Sequence, residues 1–246
     1  MINDIKIIVA DDATQFGVMV AERISEVLTD IAAPIMLLPT GSTPRSTYQA
    51  LAQSSMDSKI NWPEATIFAL DEYLGIAADD SRSFRAQLWA EVAIPLGLAP
   101  HQLITPNGMT GDPEAEAQRY EAEITKHSPI PLAVVGVGRN GHIAFNEPGI
   151  DFSVPTHVAT LAIETRQDNA SAFANSLLPT RAITVGLATL ESVNTIILIA
   201  QGGHKAPAIT ALLRGEIDHN WPVTALVRHR NLSIILDQEC FESLKL

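Results

Sequence analysis

Apolar positions along this chain gather into short, almost unbroken runs separated by longer stretches of mixed polarity. The runs are IKIIVA (5–10), PIMLLP (34–39), ATIFAL (65–70), LAVVGV (132–137), HVATLAI (157–163), AITVGL (182–187), NTIILIA (194–200) and LSIILD (232–237). With so little polar alternation, they predict strands buried on both faces, as in a parallel sheet covered on each side. Between the first two runs, Phe16, Met19, Val20, Ile24, Val27, Leu28 and Ile31 recur at helical spacing. Further helices are predicted at 44–53, 83–92, 113–126, 167–177 and 203–214. The Pro- and Gly-containing stretch at 95–113 reads as a surface connection before a helix that opens near Asp112 and Pro113. Strand–helix alternation of this kind predicts an α/β fold with a doubly wound, mostly parallel sheet. No repeat, low-complexity tract or linker interrupts it, so residues 1–246 read as a single domain.

Composition narrows the class. A chain of 246 residues, 46% hydrophobic and 18% charged, is globular, and its formal net charge of −12 with no basic stripe argues against nucleic acid as a partner. Cys240 is the single cysteine, which removes any intramolecular disulfide framework and fits a reducing compartment. The start, MINDIKIIVADD, has no signal-peptide layout, and no apolar run reaches membrane-spanning length, so a cytoplasmic protein is expected. No H-E-x-x-H, cysteine pair or G-x-S-x-G is present, and the seven histidines are scattered; no metal, cofactor or serine-hydrolase chemistry is expected.

In a doubly wound sheet ligands bind beyond the carboxyl ends of the strands, and four segments sit there. In LPTGSTPRSTYQAL, the turn Thr40–Thr43 enters a helix at Pro44, so Gly41, Ser42 and Thr43 form either a plain capped helix start or an anion site. In FALDEYLG, Asp71 and Glu72 follow a buried strand directly; they read as a general base with its orienter, or as two solvated loop acids. GVGRNGHIAFNEPG satisfies G-x-G-x-x-G, but Pro148–Gly149 cuts short the helix that a dinucleotide needs. The nucleotide reading is therefore rejected: the sheet is Rossmann-like without a dinucleotide site. Its glycines let the backbone turn sharply so that Asn140, His142 and Glu147 point into the crevice, with His142 either a proton shuttle or a satisfied structural histidine. In AQGGHKAPAITALL, Lys205 lies in the first turn of a helix, where a cation is unfavourable unless an anion shares the site. His204 reads as its neighbour only.

Taken together, LPTGSTP, LDEYLG, GVGRNGHIAFNEPG and GGHKAPAI resemble the glucosamine-6-phosphate deaminase (isomerase) family, in order and position, from about residue 5 to about residue 237. The resemblance implies a cytoplasmic deaminase of amino-sugar metabolism, classed with hydrolases as well as isomerases, that converts glucosamine 6-phosphate to fructose 6-phosphate and ammonia. It implies Asp71 as the base moving a proton between C2 and C1, and His142, oriented by Glu147 and Asn140, as the ring-opening group. Gly41, Ser42, Thr43 and Lys205 then hold the phosphate, and Glu72 supports the Asp71 turn at the substrate. Cofactors and metals are not required, the substrate is the only partner implied, and a homo-oligomer is compatible.

Two departures from the resembling pattern stand out. Asn140 replaces the usual Asp, which leaves a hydrogen bond to His142 but no charge to stabilise an imidazolium, so the histidine should be less basic. In ETRQDNASAF, Arg166 matches an upstream arginine while Ser171 falls where a phosphate-binding arginine is usual. The short stretch after Leu236 also lacks the tail of regulated, hexameric members, implying no allosteric activation. Galactosamine-6-phosphate deaminases and 6-phosphogluconolactonases remain the enzymatic alternatives; the IAFNEP run and the LDEY acids favour the deaminase. A sugar-phosphate sensor is the non-enzymatic one, disfavoured because the chain begins directly with its first strand, without a DNA-binding segment.

Overall fold

A computed structural model describes residues 6–55, 59–168, 173 and 178–245. In chain order its elements are β1 (Lys6–Ala10), α1 (Ala13–Leu28), β2 (Ile35–Leu38), α2 (Arg45–Ser54), β3 (Thr66–Ala69), β4 (Asp71–Tyr73), α3 (Phe84–Leu88), β5 (Leu103–Ile104) and α4 (Pro113–Lys126). There follow β6 (Leu132–Gly136), β7 (His157–Thr160), α5 (Ile163–Asp168), β8 (Arg181–Thr184), α6 (Leu187–Glu191), β9 (Thr195–Ala200), α7 (Ala206–Leu213), β10 (Leu232–Asp237) and α8 (Gln238–Glu242).

Seven strands form one sheet in the order β1-β10-β9-β6-β2-β3-β5, every pair parallel. The unbroken apolar runs are explained by burial on both faces. Along β9, Ile196, Leu198 and Ala200 join the cluster that holds Tyr120 of α4 and Ile209 of α7. Ile197 and Ile199, which alternate with them, pack instead with Phe16 and Ile24 of α1. The same alternation recurs in β6, where Ala133 and Val135 face one cluster and Leu132 and Val134 the other. Side chains on the two faces of a strand alternate with period two, so a strand with no solvent face has no polar phase.

Helix ends follow their capping residues. The Asp12 carboxylate accepts the Gln15 amide at 2.8 Å at the start of α1, and Asp112 accepts that of Ala115 at 3.1 Å at the start of α4, with Pro113 in the first turn. The helix expected at 83–92 is α3, started by the Ser83 hydroxyl accepting the Ala86 amide at 2.9 Å and continued by a π-helical turn over Trp89–Ala93. The helix expected at 203–214 divides into a 3-10 turn, Gly203–Lys205, and α7. That expected at 167–177 begins earlier, as α5 at Ile163; beyond Asp168 only Phe173 of that range lies within the described residues.

Two strand expectations need correction. The runs at 157–163 and 182–187 are not members of the parallel sheet; β7 and β8 pair antiparallel with each other, and β8 pairs antiparallel with β4, in a separate three-stranded sheet ordered β4-β8-β7. Its apolar face has its own cluster, built on Tyr73, Phe84, Phe145 and Phe173. Apolar content signals burial but not the partner strand. The stretch 95–113 also contributes a strand, β5, at the edge of the large sheet.

Candidate active site

Four adjacent strands of the large sheet, β9-β6-β2-β3, end at one crevice of 410 Å³, and the four segments singled out from sequence are the connections that leave them. Gly41, Ser42, Thr43, Asp71, His142 and Lys205 all line it, whereas Asn140 and Glu147, expected to point into it, do not and reach it only through His142.

The turn after β2 presents backbone amides and hydroxyls to the crevice. Gly41 adopts φ +97°, a left-handed conformation that lets the chain reverse into α2. No side chain caps the start of α2, so free amides remain beside the Ser42 and Thr43 hydroxyls. Two contacts hold the turn from behind. Tyr48, buried in α2, donates its hydroxyl to the Pro39 carbonyl, and the Gln87 amide donates to the Gly41 carbonyl at 3.2 Å. Lys205 stands at the cap position of α7 rather than within its first turn. Burial lowers its pKa, and the nearby Asp168 carboxylate acts in the opposite direction.

Asp71 sits where the two sheets meet. Leu70 donates its amide to Leu38 of β2 at 3.1 Å and accepts the Val185 amide, next to β8, at 2.8 Å, so a single residue belongs to both hydrogen-bond systems. Asp71 follows it as the first residue of β4, in register with Thr184. Only 7% of Asp71 is exposed. Burial, aided by the neighbouring Glu72 charge, pushes its carboxyl up to about 8.

Glu72 points elsewhere. Its carboxylate accepts the backbone amides of Tyr73 at 2.9 Å, Phe84 at 3.0 Å and Arg85 at 2.9 Å, which ties β4 to the start of α3. It does not line the crevice, which corrects the expectation that it meets the substrate. Burial raises its pKa and the three amides pull the other way.

The turn after β6 carries the imidazole. The Gly138 amide donates to the His142 carbonyl at 2.8 Å, closing a tight loop over which the His142 ring folds back. A Cβ on Gly138 would lie 2.1 Å from His142 Cε1, so only glycine leaves room for the ring. Asn140 Oδ1 accepts the His142 backbone amide at 3.2 Å and lies 2.7 Å from His142 Nδ1, while Asn140 Nδ2 donates to Glu147 Oε2 at 3.0 Å. A backbone amide can only donate and a carboxylate accepts, so the Asn140 orientation is fixed by its neighbours and Nδ1 of His142 must carry the proton. Nε2 is left with its lone pair. Thr165 Oγ1 lies 3.2 Å from the same Nδ1, and Glu147 Oε1 accepts the Ala162 amide at 3.2 Å. Burial, then the Lys205 charge, pushes His142 down to about 4, so the ring is neutral near pH 7. Lower basicity was expected from the amide at position 140; burial is its first cause.

Sequence reasoning missed several contributors. Asn146 donates to the Ile143 carbonyl at 2.8 Å and the Val185 carbonyl at 2.9 Å, clamping this loop to the end of β8. Ala144, in the crevice wall, holds φ +50°, a conformation costing about 1 kcal/mol for a residue with a Cβ. Asp168, Gln201 and His204 also line the crevice. Arg166 has a buried Nε without a hydrogen-bond partner among the described residues, and Ser171 lies outside them. Among the described residues no group of three or more His, Cys, Asp or Glu is placed to hold a metal, and no helix is long and apolar enough to cross a membrane.

A parallel sheet whose strand ends converge on an uncapped helix start, a buried acid and a neutral imidazole defines an α/β protein whose crevice groups the parts of acid–base chemistry. Residues 10–235 match the model of the family described as glucosamine-6-phosphate isomerases/6-phosphogluconolactonase. The chain belongs to that family. It is 36% identical over 233 residues to a glucosamine-6-phosphate deaminase of Cutibacterium acnes, covering 94% of this chain and 89% of the relative. It is 39% identical over 210 residues to one from a Geobacillus species, covering 83% and 82%. The solved structure of a monomeric glucosamine-6-phosphate deaminase superposes with a TM-score of 0.93 at 32% identity, over 97% of this chain and 100% of that one. A 6-phosphogluconolactonase of Trypanosoma brucei shares the fold at 19% identity, with a TM-score of 0.78 over 99% and 100% of the two chains. The expected classing with hydrolases is corrected by these relatives: those similar in sequence along the chain are named deaminases, and the lactone hydrolase resembles it in fold alone.

Proposed function

We propose that this chain is a glucosamine-6-phosphate deaminase, a single cytoplasmic domain that opens the amino sugar, isomerises it and releases ammonia. The observation that carries this reading is the pairing, in one crevice, of an imidazole locked as its Nδ1–H tautomer with a buried carboxyl raised to about 8. The names of its relatives support the substrate.

The uncapped start of α2, the Ser42 and Thr43 hydroxyls and Lys205 bind the 6-phosphate. Remote binding of this kind positions the reacting carbons against Asp71. His142 takes the C1 hydroxyl proton on its free Nε2 and returns a proton to the ring oxygen, so the C1–O5 bond breaks and the aldehyde forms. Ionised Asp71 then abstracts the C2 proton while the C2 ammonium group gives a proton to the aldehyde oxygen, so an enolamine forms, and Asp71 delivers its proton to C1. The product is a protonated imine at C2; water adds there, ammonia leaves, and fructose 6-phosphate remains. A carboxyl raised to about 8 suits this shuttle, because it is a stronger base than an ordinary carboxylate and holds its proton until C1 accepts it. Glu147 and Asn140 act on His142 as positioning residues.

Asp71→Asn is expected to lower ammonia release from glucosamine 6-phosphate by about 10²- to 10⁴-fold. Stabilisation against heat by the same ligand should survive the change. Galactosamine 6-phosphate and 6-phosphogluconolactone are assayed alongside. If the wild-type protein liberates no ammonia from the glucosamine substrate between pH 6 and 9, the proposal fails.

A further inference from the structure

The phosphate end of the crevice has an unusual charge balance for a site that binds a dianion. Among the described lining residues Lys205 is the one Lys or Arg, and Asp168 shares the wall with it. Asp168 is the last residue of α5, which folds back over the β6 turn and also brings Thr165 to His142. A carboxylate there repels an incoming phosphate unless its charge is already engaged. It is engaged by Arg139, whose Nη2 lies 3.2 Å from Asp168 Oδ1 and 3.5 Å from the Glu164 carbonyl. Arg139 stands in the same tight turn as Asn140 and His142, between Gly138 and Gly141. Its guanidinium is close enough to Lys205 to depress the lysine's pKa, while Asp168 acts on both Lys205 and His142. Asp168, Lys205 and His142 line the crevice, and Arg139 joins them through its pair with Asp168. Arg139 and Asp168 are each more than one-third exposed, so their pair is screened by water and exchangeable.

We propose that Arg139 is the second phosphate-binding cation of this site, and that Asp168 is its internal counter-anion, which an incoming phosphate displaces from it. The inference rests on reading the crevice as a sugar-phosphate site. It makes Asp168 a residue that weakens binding by competing with the ligand, and Arg139 a specificity determinant for phosphorylated over unphosphorylated sugars. A planar guanidinium accommodates the change, since its fork accepts carboxylate or phosphate oxygens in the same geometry.

The test pairs calorimetric titration of inorganic phosphate with steady-state rates on glucosamine 6-phosphate, for the wild type, Arg139→Gln, Arg139→Lys, Asp168→Asn and the double variant Arg139→Gln with Asp168→Asn. Loss of a charge-assisted contact should weaken phosphate binding by about 10-fold in Arg139→Gln, with KM rising more than kcat falls and partial recovery in Arg139→Lys. Asp168→Asn should tighten phosphate binding by roughly 2- to 5-fold, the range of a half-exposed ion pair. That gain should shrink when Arg139 is already absent. Phosphate affinity unchanged in Arg139→Gln, or weakened rather than tightened in Asp168→Asn, overturns the proposal. A wild type that binds phosphate but deaminates nothing refutes the assigned reaction instead, and the phosphate titrations still decide the role of Arg139.

Discussion

The two sheets of this molecule are built on opposite terms. In the seven-stranded sheet β6 and β9 are apolar on both faces, and the polar side chains that line the crevice come from the connections beyond the strand ends. In the three-stranded sheet the first strand is Asp71-Glu72-Tyr73, and all three residues are buried. The large sheet behaves as a frame; the small one carries charge into the interior, where Glu72 is satisfied by backbone amides and Asp71 is left to titrate. Leu70 joins the two through one hydrogen bond to each side. A buried carboxyl is thereby tied to the large sheet while its own strand belongs to the small one.

If the sheets are separate cooperative units, damage to one should spare the other. Tyr73→Ala removes the aromatic ring that packs on Phe84, Phe145 and Phe173, at a cost of about 3–5 kcal/mol. Native-state hydrogen exchange should then quicken first at Ala159 and Ala182 of the small sheet, with Ile197 and Ile199 of β9 still exchanging only through the slowest opening. Equal acceleration everywhere would merge the two sheets into one unit.

A smaller effect separates the two acids of β4. The folded protein holds a proton on Asp71 up to about pH 8, whereas the unfolded chain releases it near the ordinary aspartate value. Its stabilising contribution is complete below about pH 4 and is lost as pH rises through about 8. Asp71→Asn, which cannot ionise, should match the wild type at pH 4 and exceed it at pH 9 by roughly 2–4 kcal/mol in denaturant unfolding, the full shift being reduced by water in the crevice. A constant difference across that range would place the proton elsewhere.

Glu72→Gln should act in the other direction. It replaces a carboxylate that accepts three amides by a group with one accepting oxygen, costing about 1–2 kcal/mol. It also removes the charge that helps raise Asp71, so the acid limb of kcat/KM should move to lower pH. A limb that stays in place would mean that burial alone sets the Asp71 value.

The same contrast explains what could be read without coordinates. β6 and β9 announce themselves because burial on both faces leaves no polar phase, and the crevice follows because ligand sites in such sheets lie at the strand ends. The small sheet does not announce itself. Val158 and Ile183 look like any buried strand residues, and their antiparallel partnership rests on pairing across distant segments that no local run encodes. β4 is hidden further, since Asp-Glu-Tyr is polar by composition and strand-like only through its place beside β8. In the site, Asp71, His142 and Lys205 were legible because their residue types follow strand ends. Thr165 and Asp168 were not, because the first meets His142 and the second lines the crevice only once α5 folds back over the β6 turn. Gly138 was legible as a turn residue; the reason no other residue fits, the imidazole lying over it, was not.

The amide at position 140 has one more consequence. Glu147, Asn140 and His142 form a continuous line of hydrogen bonds, yet a side-chain amide relays polarity without relaying protons. The line is an insulated conductor: it orients the ring, and no proton passes along it through the amide from Glu147 to Nδ1. Nδ1 holds its proton against Asn140, with Thr165 Oγ1 at 3.2 Å and Glu147 Oε2 at 3.8 Å as its other neighbours, and Nε2 is the nitrogen left with a free lone pair. An aspartate in the same position could take the Nδ1 proton itself, which the amide cannot.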